Sequence, residues 1–159
     1  TIQDIWGAKD PRTGEWVVLC AVSPGYGISN PGILKINRNQ TVEIIPWVSG
    51  RAARSVWFED PALIFACGSG ILRRTPLGRW EEIGGVEVIP AKTERIRGIA
   101  LNDIFVVGHF GHIAHFNGNG FSVFRPNGAI LYLSCDYQNN LMVAVGEDGR
   151  KGYLLRMWR

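Results

Sequence analysis

Every histidine of the chain lies in "GHFGHIAH", residues 108–115: His109, His112 and His115. Imidazoles at this density could hold a transition metal, or work as a general acid and base near neutral pH. The backbone beneath them decides which. Gly108 and Gly111 bracket a tight turn, so "GHFG" reads as a hairpin tip. Beyond it, His112 and His115 are an odd number of residues apart on a strand, which sends their side chains to opposite faces. His109 and His112 across the turn would supply at most two ligands, and the corresponding turns "GSG" and "GEDGRKG" add no histidine. A zinc site needs at least three protein ligands. No metal and no other cofactor is expected, and His109 at the tip is the histidine to test for function.

The remaining chemistry-bearing residues are scattered. Glu81 and Glu82 in "WEEI" alternate along a strand-like run, where solvated edge charges are common. Glu147 and Asp148 lie beside Arg150 in a turn, and Asp with Gly is ordinary turn chemistry. A general acid and base would have to come from separate segments. No Gly-x-Ser-x-Gly elbow is present. Cys20, Cys67 and Cys135 sit in separate apolar runs without a CxxC pair, which is how buried small hydrophobes look.

The elements that position these residues come from composition and repetition. The 159 residues are 46% hydrophobic, enough for a substantial core, with a formal charge of only +3. Basic residues are not clustered among aromatics, so nucleic acid is not the expected partner. The longest apolar runs, such as "ALIFAC" and "LMVAV", are far short of the roughly 18 residues of a membrane-spanning helix. Twenty glycines, six Trp, seven Phe and four Tyr favour strands joined by tight turns.

A Gly-x-aliphatic pattern recurs at Gly32, Gly70, Gly111 and Gly152, at intervals of 38, 41 and 41 residues. Ten residues past the first three glycines come Val42, Trp80 and Phe121, each opening a short strand-like run. Upstream lie "WVVLCAV", "ALIFACG", "DIFVVG" and "LMVAVG", and further upstream "QDIWG", "RSVWF", "RGIAL" and "LYLSC". Each unit thus predicts four short strands, a to d, with helix nearly absent. Strand b is apolar on both faces, as in a sheet sandwiched between neighbours. A unit of about 40 residues with four antiparallel strands predicts an all-β fold, a β-propeller of four blade-like units. The units fall at about 3–46, 54–85, 97–126 and 131–159.

The third unit, "NDIFVVGHFGHIAHFNGNGFSVF", resembles the degenerate blades of bacterial propellers of the Ycf48-like and BNR-like kind. The second keeps the glycines and the Trp in "LIFACGSGILRRTPLGRW", the first is stretched by "SPGYGISNPG", and the fourth keeps "VAVGEDG" and "GYLLR". The Ser-x-Asp-x-Gly-x-Thr-Trp box of sialidase-type blades is absent. His115 falls where such blades often carry His or Arg before an aromatic. The motifs imply an architecture and not an activity.

Arg159 is only seven residues past Gly152, so the last blade is expected to lack its outer strand and the chain to be part of a larger ring. An upstream propeller fragment or a second copy (a homodimer) would complete it, and a four-bladed ring closed on itself is the third arrangement. The chain opens at Thr1, as a trimmed or mature piece of a longer protein would.

In propellers of the kind this chain resembles, the b–c and d–a loops share a ligand-binding face. Mapped here, that face carries Tyr26, Arg51, Arg54, Arg95, His109, Phe110, Glu147, Asp148 and Arg150, with Lys92 and Glu94 beside them. Aromatics and arginines on a rigid scaffold suit recognition of a protein, peptide or glycan without catalysis. The alternative is a glycosidase- or lyase-like propeller whose acid and base meet on this face.

Overall fold

The structure is a computed structural model that describes residues 1–23, 32–48 and 50–158. It is built of four antiparallel sheets, each a local meander. The first holds β1 (Ile2–Lys9), β2 (Trp16–Val22), β3 (Gly32–Ile36) and β4 (Val42–Ile45). The second holds β5 (Ala53–Trp57), β6 (Ile64–Gly68), β7 (Gly70–Arg74) and β8 (Trp80–Gly84). The third holds β9 (Thr93–Ala100), β10 (Asp103–Gly108), β11 (Ile113–Phe116) and β12 (Phe121–Phe124). The fourth has three strands among the described residues, β13 (Leu131–Gln138), β14 (Leu141–Glu147) and β15 (Gly152–Trp158). The four blade-like sheets expected from the repeat are therefore present.

The first strands β1, β5, β9 and β13 are successive neighbours on the inside of the stack, and each sheet runs outward from them. Each strand a carries a bulge or register shift against strand b: at Ile2/Asp4, Ala53/Ser55, Val107/Gly108 and Tyr132/Ser134. At three of these places strand b carries a glycine at or one residue before its end, for a steric reason. A Cβ on Gly68 would lie 2.2 Å from the Ala52 carbonyl oxygen, one on Gly108 2.4 Å from that of Lys92, and one on Gly146 2.3 Å from that of Leu131. The glycine that punctuates the repeat is where strand b passes against the entry of its own strand a.

Loops then tie one blade to the next. Ser23 Oγ donates to the Ala53 carbonyl (3.0 Å), Gly68 N–H to Thr93 Oγ1 (2.7 Å) and Gly111 N–H to the Ile130 carbonyl (2.6 Å). Each bond joins a b–c turn to the a-strand entry of the following blade, which places b–c turns and d–a loops on one face.

Between successive blades lie three apolar clusters. Leu19, Ala21 and Ile33 meet Val56, Phe58, Ile64 and Ala66 between the first two blades. Trp57, Phe65, Cys67 and Ile71 meet Ile96, Ile104, Val106 and Ala114 between the second and third. Phe105, Val107 and Ile113 meet Cys135, Met142 and Ala144 between the third and fourth. All three cysteines are buried and unbridged, as their apolar contexts predict. Among the described residues no apolar cluster joins the fourth blade to the first.

Gly146→Ala is expected to lower unfolding stability by about 1–3 kcal/mol through overpacking, whereas Gly152→Ala, with open space at its Cβ position, should stay within about 0.5 kcal/mol. Urea unfolding of both variants checks this. Equal effects would refute the packing account of the repeat glycine.

Candidate functional site: an arginine-rich cluster on the inner strands

Alternation along the inner strands brings charged side chains from three blades together. Asp4 on β1 is buried and is the hub. Its Oδ2 accepts from Ser55 Oγ on β5 (2.5 Å), the Val56 N–H (3.2 Å) and Arg97 Nη1 on β9 (2.9 Å). Its Oδ1 accepts from Arg97 Nη2 (2.8 Å) and from Arg95 Nη1. Arg97 also lies 4.9 Å over the Trp6 ring, a cation–π contact. Burial alone would raise the Asp4 carboxyl; the hydrogen bonds and charge of Arg97, with Ser55 and Arg95, outweigh it and hold its pKa below the ordinary carboxylate value.

Around this hub sits a second, more exposed layer. Arg54 on β5 donates from Nη1 to Gln3 Oε1 (2.9 Å), and its Nε stands 3.7 Å from Glu94 Oε2. Glu94 on β9 accepts from His109 Nε2 at 2.9 Å. The Nε atoms of Arg54 and Arg95 are buried and carry no hydrogen bond. Phe110 follows His109 in a three-residue 3-10 turn, His109–Gly111, with φ at 55° and 56% of its surface exposed. That turn replaces the plain hairpin tip read from the sequence. A left-handed φ at a bulky residue is uncommon, and here it aims the ring outward at the rim.

Nearby, Arg51 in the loop before β5 pairs with Glu82 (2.5 Å) and donates to the Ser69 carbonyl (3.2 Å). It walls a cleft of about 430 Å³ together with Ser69, Glu82, Val86, Pro90 and Lys92. Glu82 is thus an ion-pair partner and not a bare edge charge, as is Glu81, which accepts from Arg73 at 2.9 Å.

The expected site residues divide accordingly. Arg54 and His109 meet at Glu94, Arg95 meets Arg97 at Asp4 one strand position along, and Phe110 stands beside His109, with Arg51 in the cleft lined by Lys92. Arg54 and Arg95, expected on loops, belong to inner strands β5 and β9. Asp148 caps its own turn: its carboxylate accepts from Tyr153 OH (2.6 Å) and from the Arg150 and Lys151 N–H groups (both 2.9 Å), which lowers its pKa, the Tyr153 bond most of all. Glu147, at the end of β14, and Arg150, in the turn, are both exposed. Tyr26 lies outside the described residues. Sequence reasoning missed Asp4, Ser55 and Arg97. Their signal was a pair of polar or charged residues in each strand a, in "QDIWG", "RSVWF" and "RIRGI".

The three histidines do not converge. His112 Nδ1 donates to the His109 carbonyl (3.0 Å), and His115, buried against Phe105, bonds Asp103 at 2.7 Å. Tyr137 OH reaches the other Asp103 oxygen at 3.2 Å, so His115 helps lock the third blade to the fourth. Burial raises the Cys67 thiol, and raises that of Cys135 to about 12.

No family model matches the chain, and no curated protein matches it. Solved structures do. The propeller titled "YCF48 bound to D1 peptide" superposes with a TM-score of 0.72 at 13% identity, over 100% of this chain and 51% of that one. The fold is a β-propeller. The computationally designed Ika4 protein superposes with a TM-score of 0.66 at 12% identity, over 99% of this chain and 91% of that one. The chain thus spans about half the length of the first of these propellers, and at these identities the likeness is one of fold.

Because the Asp4 pKa is lowered on folding, its contribution to stability is complete above the unfolded carboxyl value and is lost as pH falls through the folded one. Stability is therefore expected to be level near neutrality and to drop below about pH 4. Asp4→Ala, which leaves Arg95 and Arg97 facing each other, should cost roughly 3 kcal/mol at pH 7 and flatten that acid limb. An unchanged limb in denaturant titrations across pH would count against the hub. The three thiols should resist alkylation at neutral pH in the native state and react together in denaturant; rapid native labelling of Cys67 or Cys135 would contradict their burial.

Proposed function

We propose that this propeller segment is a non-catalytic recognition scaffold, and that its loop face binds a protein or peptide segment bearing acidic groups. The observation that carries the reading is the arginine cluster. Three guanidinium groups stand at two carboxylates, Arg95 and Arg97 at Asp4 and Arg54 at Glu94, with Arg54 the most open of the three to solvent. Arginine presents donors in a fixed fork that suits carboxylates. Phe110 adds an exposed aromatic anchor at the rim, and the cleft beside Arg51 gives an extended chain somewhere to lie. The solved propeller with the D1 peptide is a fold neighbour with a peptide bound, which supports a peptide or protein ligand ahead of a glycan. A Ycf48-like or BNR-like kinship is the finer form of the same reading and rests on the third blade's motif.

The test is a panel of linear peptides graded from basic to acidic, titrated by fluorescence anisotropy. Acidic peptides should bind saturably, more weakly as salt rises, because the arginines are partly open to solvent. Arg54→Glu should weaken binding at least about tenfold and Phe110→Ala several-fold, both with the fold intact by circular dichroism. Binding independent of charge and of Arg54 would overturn the proposal. Turnover of a glycan substrate in parallel assays would replace it with the enzyme reading.

A further inference from the structure

The register of the hairpins shows which blade faces lack a neighbour. In each b–c hairpin the residue before Val22, Gly68, Gly108 or Gly146 forms the cross-strand pair Ala21–Ile33, Cys67–Ile71, Val107–Ile113 or Val145–Leu154. In the first three blades both members are almost fully buried, because the next blade lies on them. In the fourth, Val145 and Leu154 are 42% and 65% exposed, and Trp158 is open further along the same face, beyond Arg156. They occupy a position that this fold covers with another blade.

What covers it elsewhere is the reverse face of the following blade: Val56, Ile64 and Ala66, then Ile96, Ile104 and Val106, then Cys135, Met142 and Ala144. One such face is uncovered among the described residues. On the first blade, Ile5, Cys20, Leu34 and Ile44 form a continuous cross-strand row, and Gly7, Val18, Ile36 and Val42 form the next. Both rows are apolar; Cys20 is buried between its neighbours, while Ile5, Val42 and Ile44 in the rows, and Trp16 past the end of the second, are each more than half exposed. Exposed apolar area of this extent marks an interface.

We propose that the occupant is a second copy of this chain. The open forward face of the fourth blade of each copy packs on the open reverse face of the first blade of the other. The two contacts are then equivalent by a two-fold axis along the channel, and a ring of eight blades closes. One observation favours a second copy over another occupant: the two open faces are the two halves of one interface that the chain already repeats three times, so one further copy satisfies both.

The chain of 17.6 kDa should therefore sediment as a dimer of about 35 kDa at micromolar concentration. Trp16→Asp and Leu154→Asp each spoil both contacts in a homodimer and should each raise the dimer dissociation constant at least about a hundredfold, with the strand signal in circular dichroism retained. Mixed one to one, the two variants share one contact that carries neither substitution, so dimer should reappear in the mixture. A monomeric wild type would overturn the proposal and point to a different chain as occupant. So would a dimer insensitive to both substitutions, a mixture that stays monomeric, or an open-ended series of higher species. None of these outcomes bears on whether the loop face binds acidic peptides.

Discussion

Each sheet of this chain is apolar on both faces, so a blade buries its core only when flanked on either side. At roughly 25 cal/mol per Å² of apolar surface removed from water, side chains such as Phe65, Ile104 and Phe105 contribute strongly when a neighbouring sheet covers them, and little in an isolated hairpin. This need sets the radial stack and makes stability a matter of neighbour contacts, as in other repeat proteins. It also explains why the two ends differ from the middle. Val145 and Leu154 at one end, and Ile5 and Ile44 at the other, meet the same requirement without a neighbour to satisfy it.

The polar hub is subordinate to that stack and depends on it. Asp4, Ser55 and Arg97 belong to three successive blades, and their bonds form only when β1, β5 and β9 stand side by side. A carboxylate so deeply buried is tolerated because two guanidinium groups, a hydroxyl and a backbone N–H satisfy it together. The hub in turn fixes Arg95 and Arg97, so that the outer layer of Arg54, Glu94 and His109 is built on held side chains. Recognition groups on a rigid scaffold lose less conformational entropy on binding, which is the physical advantage of placing them there.

Much of the fold was legible along the chain. The spacing of Gly32, Gly70, Gly111 and Gly152 reported the hairpins, and the two-sided apolar runs reported burial between sheets. The glycine at the end of strand b had its own cause, the carbonyl oxygen of Ala52, Lys92 or Leu131 lying where a Cβ would go. The histidine cluster was legible as a turn, because an odd spacing on a strand separates His112 from His115. The site was less so. Arg54, Arg95, His109 and Phe110 were drawn from loops as a group, yet two of them are strand residues. Asp148, placed with them by turn position, is spent on its own backbone and on Tyr153.

Local and periodic constraints were therefore determined by the sequence itself: where strands start and where turns need glycine. Only the tertiary structure decided which charges meet. Asp4 and Arg97 are 93 residues apart, and no local pattern encodes the distance between strands of different blades. The same holds for the open faces. Whether Leu154 is buried depends on a neighbouring sheet, and the alternation along β15, buried side and open side in turn, reads the same whether or not that sheet is there.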